Sequence, residues 1–143
     1  MYNTENIRNI IFMGHSGSGK TSLAETMLFE AGAISRKGSV EEGNTVSDYS
    51  SIEKERRNSI FSTLMHVLWR GNKINMIDTP GYDDFIGDVI CSMKVADTGL
   101  LVVNSAHGVE VGTEILWEYT RTFATPTILV INQCDHEQSN FQQ

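Results

Sequence analysis

A chain of 143 residues is long enough to bury one core and too short for two, since a domain of about 150 residues hides roughly 70% of its unfolded surface. With 40% hydrophobic and 20% charged residues and only 2 prolines, it has the composition of a soluble globular protein, which excludes a fibrous or disordered chain. Lys plus Arg number 11 against 18 Asp plus Glu, a formal charge of -7, so the surface as a whole repels bare phosphate backbones and anionic lipid, and any bound anion must be held by local geometry.

Cys91 and Cys134 form no CxxC pair, and the 4 histidines show no metal-ligand spacing. Neither a disulfide framework nor a zinc site is indicated, and both thiols are expected to be buried or half-buried. Residues 1–8 are polar, without the apolar core of a signal peptide, and no apolar run approaches the ~20 residues that cross a bilayer. The chain reads as cytoplasmic.

In chain order, Ile7 to Met13 ends in the apolar run Ile10, Ile11, Phe12, Met13 before Gly14, the pattern of a buried strand entering a Gly-rich turn. Leu23, Ala24, Met27, Leu28 and Ala31 then fall at helical spacing over Thr21 to Ala31, with Gly32 where a helix stops. Ala33 to Asn58 is mostly polar with no sustained period, and is expected to be a long loop, a candidate switch. Ser59 to Arg70 and Lys73 to Ile77 read as two strands joined in a tight hairpin at Gly71 and Asn72. A turn over Asp78 to Asp83 leads to a helix with Ile86, Val89, Ile90 and Met93 on one face. Gly99 to Asn104 is strand-like, Gly112 to Phe123 helical, and Thr127 to Ile131 a last short strand. This alternation predicts an α/β domain of the P-loop NTPase type, with a mostly parallel sheet, one antiparallel hairpin strand and helices on both faces. Ligands then bind at the carboxyl ends of the strands.

Gly14, His15, Ser16, Gly17, Ser18, Gly19, Lys20 and Thr21 match GxxxxGK[ST] without a gap, between a strand and a helix as the motif requires. The glycines let backbone N–H groups turn around phosphates, the helix start adds partial positive charge, and Lys20 reaches the outer phosphates as a cation. The Thr21 hydroxyl suits Mg2+. His15 and the extra serines read as solvated or backbone-capping, with no catalytic role. Asp78-Thr79-Pro80-Gly81 begins at the end of an apolar strand, where Asp78 can hold Mg2+ through water and the Gly81 N–H can face the last phosphate. Taken alone, it is a common turn sequence. Asn132-Gln133-Cys134-Asp135 follows the last apolar strand, and a carboxylate fixed there can accept two N–H donors from guanine and cannot do so from adenine.

The three motifs in this order resemble the G domain of the translational GTPases, and their detail resembles elongation factor G. Gly43 to Ile60 is similar to that family's first switch, which ends in an ERGITI pattern, and Asp78 to Phe85, DTPGYDDF, to its DTPGHVDF. The phrase NTVSDY and the SGSGKT loop are most similar to the elongation factor G-like paralogues. The resemblance covers nearly the whole chain and implies GTP or GDP bound by Gly14 to Ser22, by Asp78 and Gly81, and by Asn132, Gln133 and Asp135. It implies Mg2+ on Thr21 and Ser59 with Asp78, and the ribosome as partner. No membrane partner is implied, and the acidic composition argues against direct binding of nucleic acid. Residues 1–143 are expected to form a partial G domain, a fragment of the family's complete one, with a sheet face partly bare.

Four departures from the family pattern bear on activity. Tyr82 stands where the family has the catalytic His that positions the attacking water, and a phenol does not reproduce imidazole geometry or charge. Gly17 stands in place of a P-loop Asp that helps hold a monovalent cation. Ser59 replaces the switch Thr and keeps its hydroxyl. Gln133 replaces the Lys of NKxD, so guanine preference is expected to persist with reduced affinity. Slow or absent hydrolysis follows. The competing readings are a GTP-dependent switch module without turnover, a ribosomal protection factor of the tetracycline-resistance kind, and a P-loop kinase or ATPase, the last disfavoured by Asn132 to Asp135.

Overall fold

The computed structural model describes residues 2–139. Five strands form one sheet: β1 (Ile7–Met13), β2 (Thr63–Trp69), β3 (Asn72–Asp78), β4 (Thr98–Asn104) and β5 (Thr127–Asn132). Their spatial order is β2-β3-β1-β4-β5, with only the β2–β3 pair antiparallel. Helices α1 (Lys20–Glu30), α3 (Ile86–Met93) and α4 (Val111–Thr122) pack on it, and a short helix, α2 (Ser51–Arg56), lies in the segment before β2.

The side-chain alternation of β1 divides the core between the two faces. Ile11 and Met13 pack with Val89 and Met93 of α3 and Leu116 of α4, while Phe12 packs on the other side with Ala24 and Leu28 of α1 and with Met65, Val67 and Met76. Each such side chain, when fully buried, contributes about 1.5–3 kcal/mol, so the central strand is held from both sides. At the far edge β5 is poorly covered: Ile128, Leu129 and Ile131 are exposed. Consecutive strand residues point to opposite faces, so the bareness lies on both sides of this strand rather than on a single face.

Register positions the site. Phe12 pairs with Asp78, and Asn104 with Asn132, so the loops after β1, β3, β4 and β5 leave the same end of the sheet.

Four expectations need correction. The Ala33–Asn58 stretch is not all loop, because it contains α2, whose start carries a capping box in which the Ser50 hydroxyl and the Glu53 side chain exchange bonds with each other's backbone N–H. Six residues are too few to establish a helical period. The strand expected from Ser59 begins at Thr63, because the N–H groups of Ile60 and Phe61 donate to Glu53 Oε1 at 3.0 and 3.1 Å and that of Ser62 to Asp88 Oδ2 at 3.3 Å, leaving none for a ladder. The hairpin turns at Arg70 and Gly71, both at positive φ (47° and 82°), with Asn72 already paired to Trp69. Both cysteines are exposed rather than buried.

Candidate functional site

Residues 14–19 form the loop between the end of β1, the central strand, and the start of α1. Gly19 is held left-handed at φ 90°, and a β-carbon there would stand 2.2 Å from Asn132 Nδ2. Gly81 is pressed against the same loop: a β-carbon would meet Lys20 Nζ at 2.5 Å and Ser16 N at 2.7 Å. Thr79 is buried and donates its hydroxyl to Phe12 O at 2.6 Å, which ties the turn after β3 to the last paired residues of β1.

Lys20 is buried, its ammonium donating to Gly14 O (2.8 Å) and His15 O (3.0 Å). Burial pushes its pKa down to about 8, against the opposing pull of the Asp78 and Asp48 carboxylates. Behind it the Asp78 carboxylate accepts the hydroxyls of Thr21 and Ser47, each at 2.7 Å through Oδ2. Ser59 Oγ lies 3.2 Å from Thr21 Oγ1 and donates to Asp48 Oδ1 at 2.7 Å. Thus Thr21, Ser59 and Asp78, taken from three distant segments, meet at one point. Burial pushes the Asp78 and Asp48 carboxyls above the ordinary range, with the hydroxyl bonds pulling the other way. Two buried acids among hydroxyls, with Asp78 Oδ1 lacking a partner among the described residues, fit a small hard cation that takes oxygen ligands.

A cleft of about 240 Å³ opens in front of this cluster. Ser16, Gly17, Gly19, Lys20, Thr21, Ser22, Ser59, Gly81 and Gln133 line it, together with Val40, Glu41, Asp48, Arg57 and Asn58 from the long segment before β2. The last loop joins it from β5: Asn132 Nδ2 donates to Ser18 O and Gln133 Nε2 to Gly17 O, both at 2.9 Å. Gln133 Oε1 accepts from Asn104 Nδ2 at 2.7 Å, so its amide bridges the phosphate loop and the end of β4.

Several predicted residues sit elsewhere. Asp78 lies behind Thr21, and Gly14 is packed beneath the loop, 2.3 Å separating a hypothetical β-carbon from Val102 O. The Ser18 side chain is buried without a partner among the described residues, and the His15 ring turns toward α4, with Nε2 3.6 Å from Glu110 Oε1, so His15 meets Lys20 through its carbonyl alone. Asp135 is exposed in the turn two residues after Gln133. Tyr82 lines a neighbouring crevice with Asn58, Asp84 and Phe85. Sequence reasoning passed over Ser47, Asp48 and Asn104 as site residues, because their roles arise only from tertiary contact.

A parallel sheet with a glycine-rich loop, a buried lysine and clustered hydroxyls and acids at its carboxyl end defines a P-loop nucleotide-binding domain. Residues 5–143 match the model of the elongation factor Tu GTP-binding domain, and the chain belongs to that family, as a G domain of the elongation factor G-like translational GTPases. It is 36% identical over 137 residues to an elongation factor G-like protein of Mycobacterium tuberculosis, covering 96% of this chain and 19% of that protein. It is 39% identical over 136 residues to the mitochondrial ribosome-releasing factor 2 of Debaryomyces hansenii, covering 95% of this chain and 16% of that one. A crystal structure of a Thermus thermophilus protein superposes with a TM-score of 0.87 at 38% identity, over 90% of this chain and 20% of that one. The chain therefore spans about a fifth of the length of these relatives. No helix among the described residues is long and apolar enough to cross a membrane.

Proposed function

We propose that this domain binds GTP and GDP with Mg2+, acts as the nucleotide switch of an elongation factor G-like ribosomal translocation factor, and hydrolyses GTP slowly. The observation that carries this reading is the meeting of Thr21, Ser59 and Asp78 beside Lys20, with the Asn132–Gln133 loop bonded directly to the phosphate loop. Lys20 and the amides of residues 14–21 hold the phosphates. Thr21, Ser59 and Asp78 would hold Mg2+, which would neutralise phosphate charge there. Asp135, at the end of the same loop, selects guanine. Ser59 binds only while the terminal phosphate is present, so its release after hydrolysis frees the segment before β2, and the ribosome reads that change.

Slow turnover is supported by the place of Tyr82. Its hydroxyl lies 3.4 Å from Asn58 Nδ2, at the margin of a hydrogen bond, in the crevice beside the cleft and not among the residues lining the cleft. The same observation favours a second reading, a switch that binds GTP and turns over none.

Displacement of a fluorescent guanine nucleotide tests the assignment: GTP competes and ATP does not, and displacement by ATP at least as good as by GTP would exclude it. Ribosome-stimulated hydrolysis separates the two readings. Tyr82→His raises turnover by on the order of a hundredfold, the typical contribution of a positioned imidazole. A wild-type rate equal to that of the variant removes the case for impaired catalysis.

A further inference from the structure

We propose that Arg57 is a phosphate-binding residue of this site, an arginine supplied by the domain itself that closes on the terminal phosphates of the bound nucleotide. The inference rests on the nucleotide-binding reading above and adds a second cation to it.

The first observation is conformational. Arg57 caps the carboxyl end of α2 in the left-handed region, at φ 54° and ψ 38°. Glycine is favoured there, because a β-carbon crowds the neighbouring carbonyl. In the ERGITI pattern that this segment resembles, glycine occupies the corresponding place. The chain thus carries a long cationic side chain where a hydrogen atom would relieve strain, and strain of this kind is retained where it serves a site.

The second observation is position. Arg57 lies two residues before Ser59, whose hydroxyl sits 3.2 Å from that of Thr21, and it lines the same cleft as Lys20. Its guanidinium takes part in no ion pair among the described residues.

The third is charge. Lys20 and Arg57 are the cationic side chains among the described residues lining the cleft, against Glu41 and Asp48 on its walls and Asp78 behind Thr21. In a chain of formal charge -7, a triphosphate cannot rely on the general field. Three acids thus face two cations, and without Arg57 they would face the lysine alone. A guanidinium offers two parallel N–H donors to phosphate oxygens, and a cation placed there also stabilises charge that builds up as the terminal phosphoryl group departs.

The test uses the full chain, with fluorescently labelled GTP and GDP, single-turnover hydrolysis and thermal melting. Arg57→Gly relieves the strained cap and is expected to melt no lower than wild type, yet to bind GTP roughly ten- to a hundredfold more weakly, the range for losing a hydrogen bond to a charged group. GDP affinity falls less, and hydrolysis slows. Arg57→Gln keeps the strained backbone and most of the bulk without the charge, and is expected to lose affinity equally, so the result stands even if the glycine variant folds poorly. GTP affinity and hydrolysis unchanged in both variants would show a solvated cap and overturn the proposal while leaving nucleotide binding intact. A wild-type chain that binds no GTP would overturn both.

Discussion

Glu53 is not among the residues lining the cleft, yet it governs how Ser59 is presented. Its side chain is buried; Oε1 accepts the N–H groups of Ile60 and Phe61 at 3.0 and 3.1 Å, and Oε2 that of Ser50 at 3.3 Å. The carboxylate therefore holds the chain just after Ser59 in place. Replacing it by alanine removes a charged acceptor from three backbone donors, each such bond being worth about 1.5–3 kcal/mol when the donor stays buried. Because the released segment can open to water, we take two bonds at the low end, about 3 kcal/mol, which is roughly a hundredfold in local opening. Native-state hydrogen exchange reads this directly. Protection of the Ile60 and Phe61 amides should fall by about that factor in Glu53→Ala, while amides of β1 and β4 keep theirs. The carboxyl also gives the effect a pH signature. Burial pushes its pKa up, but the bonds from Ile60, Phe61 and Ser50 outweigh burial and leave it below the ordinary 4.5. A depressed folded-state value means the stabilisation is fully present above the unfolded value and is lost as pH falls through the lower folded one. The two amides should deprotect below pH 4.5 in the wild type, and the acid-dependent step should vanish in Glu53→Gln. Equal protection of Ile60 and Phe61 in wild type and Glu53→Ala would refute the idea that this carboxylate anchors the segment.

Gln133→Lys should disturb the site unless Asn104 changes with it. The amide of Gln133 both donates to Gly17 O and accepts from Asn104, and an ammonium can only donate. Nucleotide affinity should therefore be higher in the Asn104→Asp, Gln133→Lys double variant than in Gln133→Lys alone, and a double-mutant cycle with no coupling would count against the bridge. Gly19→Ala should abolish nucleotide binding, because its β-carbon would overlap Asn132 Nδ2 at 2.2 Å on a left-handed backbone. Binding within tenfold of wild type, measured by titration with labelled GDP, would show that the contact can yield.

What could be read in advance follows a physical division. The GxxxxGKT loop and the DTPG turn were legible because each follows an apolar strand, and strand pairing then fixes their spacing in three dimensions. Helix α2 escaped a reading by period because it is shorter than two turns, although Ser50 and Glu53 stand at capping-box spacing in plain view. The extra length expected of β2 failed because hydrogen bonds from side chains, Glu53 and Asp88, competed for the N–H groups of residues 60–62. Asp48 and Ser47 sit in the quoted switch segment, but their bonds to Ser59 and Asp78 join residues 11 and 31 positions apart. No local pattern encodes such pairings.

The pairing of Phe12 with Asp78 sets a rule for how this sequence can drift. Inserting one residue within β1 or β3 would turn every following side chain to the opposite face, sending the Asp78 carboxyl away from Thr21 and opening both core clusters at once. In the segment between α1 and α2, the exposed residues Ser35 to Lys37 carry no such penalty, whereas Ser47 and Asp48 are fixed by their bonds to Asp78 and Ser59. Insertions and deletions among relatives should thus gather near residues 35–37 and spare the two strands.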